Sequence, residues 1–320
     1  MKPSLTANKT LDRVLGLDVA KASVVVFDPV SRRSWSVPNH IEALRQALEP
    51  FADYELMVCE ATGGYERAAL DAALALGLPA HRADALRVKR YIASHGGAAK
   101  TDAIDAAWLC QYGRERGHAL ARWQARDLNR DQLAGLVRHR QHLVAARVEA
   151  RNRRQAPGCE PIATFLDEQL AFLDQQIHKL DTAVDALLAR GCDLARAEAR
   201  LRDIKGFGPI VARSLLALLP ELGRLNRRQA AALAGLAPHP RDSGKLSGRR
   251  HSGPGRQGLK PVLFMAAMVA ARHNPDLKAF AERLAAAGKP KRLILNAVAR
   301  KLVVLANAVL ADLKPANQLT

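Results

Sequence analysis

The sequence predicts a mixed α/β domain followed by an all-α remainder. Three observations carry this. The first third alternates short β-branched runs with helical segments, and from Asp127 onward the pattern is almost purely helical. The third is size: 320 residues, 48% hydrophobic against 25% charged, are ample for a packed core and suggest about two domains. Lys and Arg number 49 against 31 Asp and Glu, a net charge of +18, which points to a polyanionic partner, nucleic acid first. No apolar run approaches the roughly 18 residues of a spanning helix, and MKPSLTANKTLDR lacks a signal-peptide core. The expectation is a cytoplasmic, nucleoid-associated protein with no membrane partner. Cys59, Cys110, Cys159 and Cys192 are scattered without ligand spacing, which argues against zinc and against a disulfide framework.

Taken in order, RVLGLDVA and SVVVFDP, with Lys21 and Ala22 between them, predict a β-hairpin, and RRSWSVP a third strand. A short helix over Ile41 to Leu48 precedes a buried strand, YELMVCE. A helix through Tyr65 to Leu76, a strand in LPAHRA, a helix from Ala85 to Ser94 and a closing helix near Asp102 follow. Three antiparallel strands followed by parallel strands joined through helices describe a ribonuclease H-like sheet, in which the first strand lies beside the fourth. Asp18 and Glu60 then project at one edge of the sheet, where ligands of α/β sheets sit.

Asp102 and Asp105, in AAKTDAIDAAWLC, stand three residues apart at a helix start. They either cap it, with Asp102 as N-cap and Asp105 favoured by the helix dipole, or offer two oxygen ligands on one helix face. Asp18 and Glu60 supply the further carboxylates that the second reading needs. Four such groups repel one another unless a divalent ion neutralises them. With water they suit two magnesium ions, one activating a nucleophile and the other stabilising the leaving oxygen of a phosphodiester.

Domain boundaries are expected at 1–125, 126–202 and 203–320. In the middle segment, interrupted at Ala156 to Pro161, Leu166, Leu170, Leu173, Ile177, Leu180, Val184 and Leu187 step by threes and fours. This is the seam of a long amphipathic or coiled-coil helix, which needs a partner and is expected to mediate self-association. Before it, Arg140, Arg147, Arg151 and Arg154 share a helical face and, being of one sign, form a candidate phosphate-contacting ridge. IKGFGPIVARSLLALLP places Gly206 and Gly208 in a tight turn opening a helix, similar to the helix-hairpin-helix element that holds DNA phosphates on backbone N–H groups; a packing turn between core helices is the alternative. The basic stretch from His239 to Lys260 reads as a flexible loop carrying Lys245, Arg249 and Arg250, and three helical segments follow to Leu313.

GLDVAK with Asp18, CEATGGYE with Glu60, AAKTDAIDA with Asp102 and Asp105, GFGPIVA, and GLAPHPRDSGKLSGRR followed by MAAMVAARHNP stand in a fixed order over nearly the whole chain. In these motifs the chain resembles the DEDD-type insertion-sequence transposases, the group that includes the Piv-type invertases and the recombinases guided by a bridge RNA. The resemblance implies a ribonuclease H-like catalytic domain joined through a coiled coil to a helical transposase domain with an essential serine, which by motif is Ser243 in RDSGK. It also implies two magnesium ions, donor and target DNA, a noncoding guide RNA and a homo-oligomer, dimer or tetramer. The serine would attack DNA phosphodiesters and hold a covalent phosphoserine until strands exchange. Ser247 and Ser252 sit in similar Ser-Gly pairs, and HSGPG departs from the family's usual run. A Holliday-junction-type endonuclease using water and a non-catalytic nucleic-acid scaffold are the competing readings. At 4% aromatics, base-stacking platforms are scarce, in keeping with recognition shared with an RNA.

Overall fold

The computed structural model describes residues 10–96, 101–125, 127–239, 242–243, 246–247, 251–253 and 255–313, and divides into two compact units, Met1–Ala125 and Arg126–Thr320. The first holds β1 (Val14–Val19), β2 (Ser23–Asp28), β3 (Arg33–Pro38), α1 (Ile41–Leu48), β4 (Leu56–Glu60), α2 (Arg67–Ala75), β5 (Ala80–Ala83), α3 (Ala85–Ser94) and α4 (Asp102–Arg116). Its sheet runs β3-β2-β1-β4-β5. β1 is antiparallel to β2 and parallel to β4, and β4 is parallel to β5, which fits the expected ribonuclease H-like α/β domain.

The two central strands are apolar along nearly their whole length because both faces of the sheet are covered. Leu15, Leu17, Val19, Met57 and Cys59 face a cluster with Leu44, Leu48 and Leu70 from α1 and α2. Val14, Leu56 and Val58 face the other way, onto Leu109, Cys110 and Tyr112 of α4.

Gly16 seats α4. A Cβ there would stand 1.9 Å from the Ala106 carbonyl oxygen and 2.5 Å from the Cys110 nitrogen, so only glycine lets the helix lie directly on the strand. The Cys110 thiol donates to the Val14 carbonyl at 3.0 Å at the same contact. Gly16→Val must push backbone away from backbone, for which the upper end of the overpacking range, about 3 kcal/mol, is expected. Thermal unfolding measures it, and a variant melting with the wild type would show that α4 sits elsewhere.

The second unit comprises α5 (Leu128–Arg154), α6 (Ala163–Arg190), α7 (Cys192–Arg202), α8 (Pro209–Leu218), α9 (Arg227–Leu233), α10 (Leu259–His273), α11 (Pro275–Ala286) and α12 (Lys291–Ala311). Between α9 and α10, where a loop is expected, lie the short strands β6 (Pro238–His239), β7 (Asp242–Ser243), β8 (Leu246–Ser247) and β9 (His251–Ser252). β6 pairs with β9 and β7 with β8, one ladder nested inside the other.

The packing bears on two expectations. The apolar seam of α6 finds its partner within the chain: α5 and α6 lie antiparallel, and Leu166, Leu173, Ile177, Val184 and Leu187 are buried. Leu133, Ala134 and Val137 of α5 join Val184, Leu187 and Leu188 in one core with α7 through α12, so the segment 126–202 is continuous with the helical domain. Second, α12, at 21 residues, is long and apolar enough to cross a membrane by length and composition, contrary to the expectation of no such run. Its Ile294, Leu295, Val298, Leu302 and Val303 are buried in the helical core, a packing that accounts for the apolarity.

Candidate functional site

The face of the sheet that carries α4 determines where the acidic residues stand. Side chains alternate along a strand, so Val14, Gly16 and Asp18 share one face of β1, and Leu56, Val58 and Glu60 the same face of β4. The parallel register pairs Leu17 with Cys59, so one step further brings Asp18 beside Glu60. α4 descends across this face. Gly113 lies against Val14 and Val58, and Ala106 and Cys110 lie against Gly16. The first turn of α4, with Asp102 and Asp105, therefore arrives at the Asp18 end of β1.

Capping does not account for Asp102. Thr101 is the N-cap, its hydroxyl accepting from the Ile104 N–H at 3.3 Å, and Asp102 is the first helical residue. Asp18, Glu60 and Asp105 are half-buried and Asp102 is exposed. All four offer hard oxygen donors, the kind magnesium takes. Among the described residues, however, no three Asp, Glu, His or Cys side chains are gathered closely enough to hold one ion. Donor chemistry and placement fit; the final closure of the ligands is not part of this arrangement.

Sequence reasoning passed over the second glutamate of CEATGGYE. Glu66 is 1% exposed and accepts from Thr62 N–H (3.1 Å), Gly64 N–H (2.8 Å) and Arg82 Nε (2.6 Å). Burial pushes its carboxyl up, but these hydrogen bonds outweigh that and hold it below the ordinary range. Glu66 thereby fixes the turn that leaves Glu60, where Gly63 and Gly64 adopt φ of 72° and 113°. Asn39 ties the same turn to the end of β1, its Nδ2 donating to Ala20 O at 2.8 Å and Tyr65 O at 3.0 Å. The signal for Glu66 lay in the motif; nothing local marked Asn39.

In the second unit the arginine ridge is largely engaged. Arg140 pairs with Asp181 at 2.6 Å, Arg147 with Asp174 at 2.7 Å and Arg154 with Asp167 at 2.8 Å. Each heptad step up α5 meets a heptad step down α6, so these residues set the register of the helix pair. Arg151 is exposed and makes no ion pair among the described residues. Gly206 (φ 112°) lies against α10, a Cβ there meeting Ala270 Cβ at 2.7 Å, which gives it a packing role. Gly208 is the N-cap of α8 and meets nothing. A cleft of about 290 Å³ beside this turn is lined by Arg200, Asp203, Lys205 and Asn274 among others.

Ser243 lies in β7, paired with Leu246. Lys245, Arg249 and Arg250 fall outside the described residues. Ser252, by contrast, is held at the base of the nested ladders: its Oγ accepts from Lys260 Nζ at 2.6 Å and Asn296 Nδ2 at 3.5 Å. Arg256 anchors the following turn through Glu221 (2.5 and 2.8 Å) and the Leu218 carbonyl (2.9 Å).

Two family models match the chain. One, described as a transposase, covers residues 15–156, and the other, described as the transposase IS116/IS110/IS902 family, covers residues 198–282. The chain is similar to the pilin gene-inverting protein of Moraxella lacunata, 27% identical over 264 residues, 81% of each chain. The pilin gene-inverting protein of Moraxella bovis matches at the same 27% over 264 residues. The insertion element IS900 uncharacterized 42 kDa protein of Mycobacterium paratuberculosis is 28% identical over 188 residues, 55% of this chain and 45% of that one.

Proposed function

This chain belongs to the IS116/IS110/IS902 transposase family and is a DNA recombinase of the insertion-sequence kind, and we propose that it is magnesium-dependent, is guided by a noncoding bridge RNA, and cuts and rejoins DNA through Ser243. The observation that supports this reading most is the arrival of Asp18, Glu60, Asp102 and Asp105 at one end of one sheet face. Those four carboxylates would hold magnesium, which when bound supplies Lewis acidity toward a phosphodiester. The chain's own contribution is to place the carboxylates and to present the Ser243 hydroxyl as nucleophile, an unactivated group that needs help to lose its proton.

The test uses the full chain with labelled DNA spanning the ends of its element, with and without RNA transcribed from the flanking noncoding DNA. Cleavage and rejoining that require both magnesium and that RNA are expected. Cleavage in chelator, or cleavage indifferent to the RNA, would remove the corresponding part of the reading.

Nucleic-acid contact is assigned to Arg151, to Gly208 at the start of α8, and to Lys245, Arg249 and Arg250. Arg140, Arg147 and Arg154 contribute through the helix pair. Arg151→Ala is expected to lower the slope of log affinity against log salt by about 0.7 to 0.9 for one lost phosphate contact. Arg147→Ala should leave that slope near wild type and cost no more than about 1 kcal/mol of stability. Equal slopes for Arg151→Ala and the wild type would return that side chain to solvent. Since the α6 seam is occupied by α5, the dimer or tetramer of this reading must form through other surface, and the exposed Phe165 (72%) and Phe172 (58%) of α6 are its apolar candidates.

A further inference from the structure

Tyr65 is 48% exposed in a chain with only four tyrosines. It sits on the turn that leaves Glu60, and that turn is held from two sides. From below, the buried Glu66 carboxylate takes the Thr62 and Gly64 N–H groups and is itself clamped by Arg82. From the side, a single Asn39 amide nitrogen donates both to the Tyr65 carbonyl and to the Ala20 carbonyl, two residues beyond Asp18. The backbone of Tyr65 is thus locked beside the ends of both carboxylate-bearing strands, while its ring stands in solvent. An exposed ring on a flexible loop loses entropy on binding; one on a fixed turn loses little, which is what a stacking surface needs. The Arg82 side chain, 43% exposed beneath the turn, is paired with the Glu66 carboxylate, so it stiffens the turn and leaves the contact to the ring itself.

We propose that Tyr65 is a nucleobase-stacking residue, its ring receiving an unpaired base of the DNA strand that passes the carboxylate end of the sheet. The inference rests on the recombinase reading only for the location of that strand; stacking itself needs no cleavage. A tyrosine ring accepts any base, so the contact holds the strand without reading its sequence.

The test measures fluorescence of a single-stranded pyrimidine DNA with 2-aminopurine at regular intervals, titrated with the full chain in the absence of magnesium. Wild type, Tyr65→Phe and Tyr65→Trp are expected to quench the probe. Tyr65→Ala should fail to quench it and bind about tenfold more weakly, the scale of one lost base–aromatic stack, with an unchanged melting temperature. Quenching by Tyr65→Ala equal to wild type would overturn the proposal. So would a Tyr65→Phe variant behaving like Tyr65→Ala, which would mark a hydroxyl contact, and so would dependence on Tyr65 seen only with an RNA of the same sequence. Failure of the carboxylate-site reading, on which the strand's location rests, looks different: Asp18→Asn and Glu60→Gln proteins that both cleave DNA like the wild type would remove that reading and leave the quenching result standing.

Discussion

Asp18→Asn, Glu60→Gln, Asp102→Asn and Asp105→Asn are each expected to abolish cleavage of labelled DNA in magnesium, a loss of about a thousandfold or more, while the melting temperature stays within a few degrees of wild type. The size follows from the several kcal/mol of charge stabilisation that a metal supplies to a phosphodiester reaction. The preserved fold follows from position. Asp102 is exposed, Asp18, Glu60 and Asp105 are half-buried, and the N-cap of α4 is Thr101, so neither aspartate of that helix is needed as its cap. Amides of the same shape relieve the mutual repulsion of four like charges and keep the packing of β1, β4 and α4. Wild-type-like cleavage by any two of these variants would sink the idea of a shared site. Collapse of all four would instead mean that the carboxylates serve the fold.

Ser243→Ala is expected to stop recombination and to prevent any covalent protein–DNA adduct, while binding of RNA and DNA persists. Rejoining strands without an outside energy source requires that the phosphodiester's energy be conserved, and a phosphoserine stores it where hydrolysis discards it. Denaturing electrophoresis of labelled DNA trapped with each variant reads the outcome, with Ser247→Ala and Ser252→Ala as local controls. Ser252 is an informative control because its hydroxyl is held by Lys260 and Asn296 at the base of the ladder. Loss of the adduct in Ser243→Ala with retention in both controls supports the assignment. Loss only in a neighbour moves the nucleophile within the loop, and cleavage without adduct in every protein points to a hydrolase.

Much of the first unit was legible because its signals are local. Period-two alternation and short apolar runs marked all five strands, and their order specified which strand lies beside which. Helix starts were legible within a residue or two: the capping role given to Asp102 belongs to its neighbour Thr101, since either residue type suits an N-cap and only the backbone decides. Glu66 stood in a quoted motif, yet its hydrogen bonding to Thr62, Gly64 and Arg82 arises only when the turn folds onto Arg82, a strand away.

The helical half shows the opposite balance. A same-sign arginine face reads as a nucleic-acid ridge when only near neighbours are compared. The aspartates that engage Arg140, Arg147 and Arg154 lie 41, 27 and 13 positions away and meet them only once α5 and α6 are antiparallel. The apolar stripe of α6 likewise states that a partner is needed and not which one. What the sequence by itself determined was the period of each element and the class of the chain, because those are carried by a few adjacent side chains. Which faces meet was decided only in three dimensions: Gly16 admitting the backbone of α4, Asn39 bridging two loops, and α5 covering the apolar seam of α6. Contact between distant segments depends on shape and register that no local window contains.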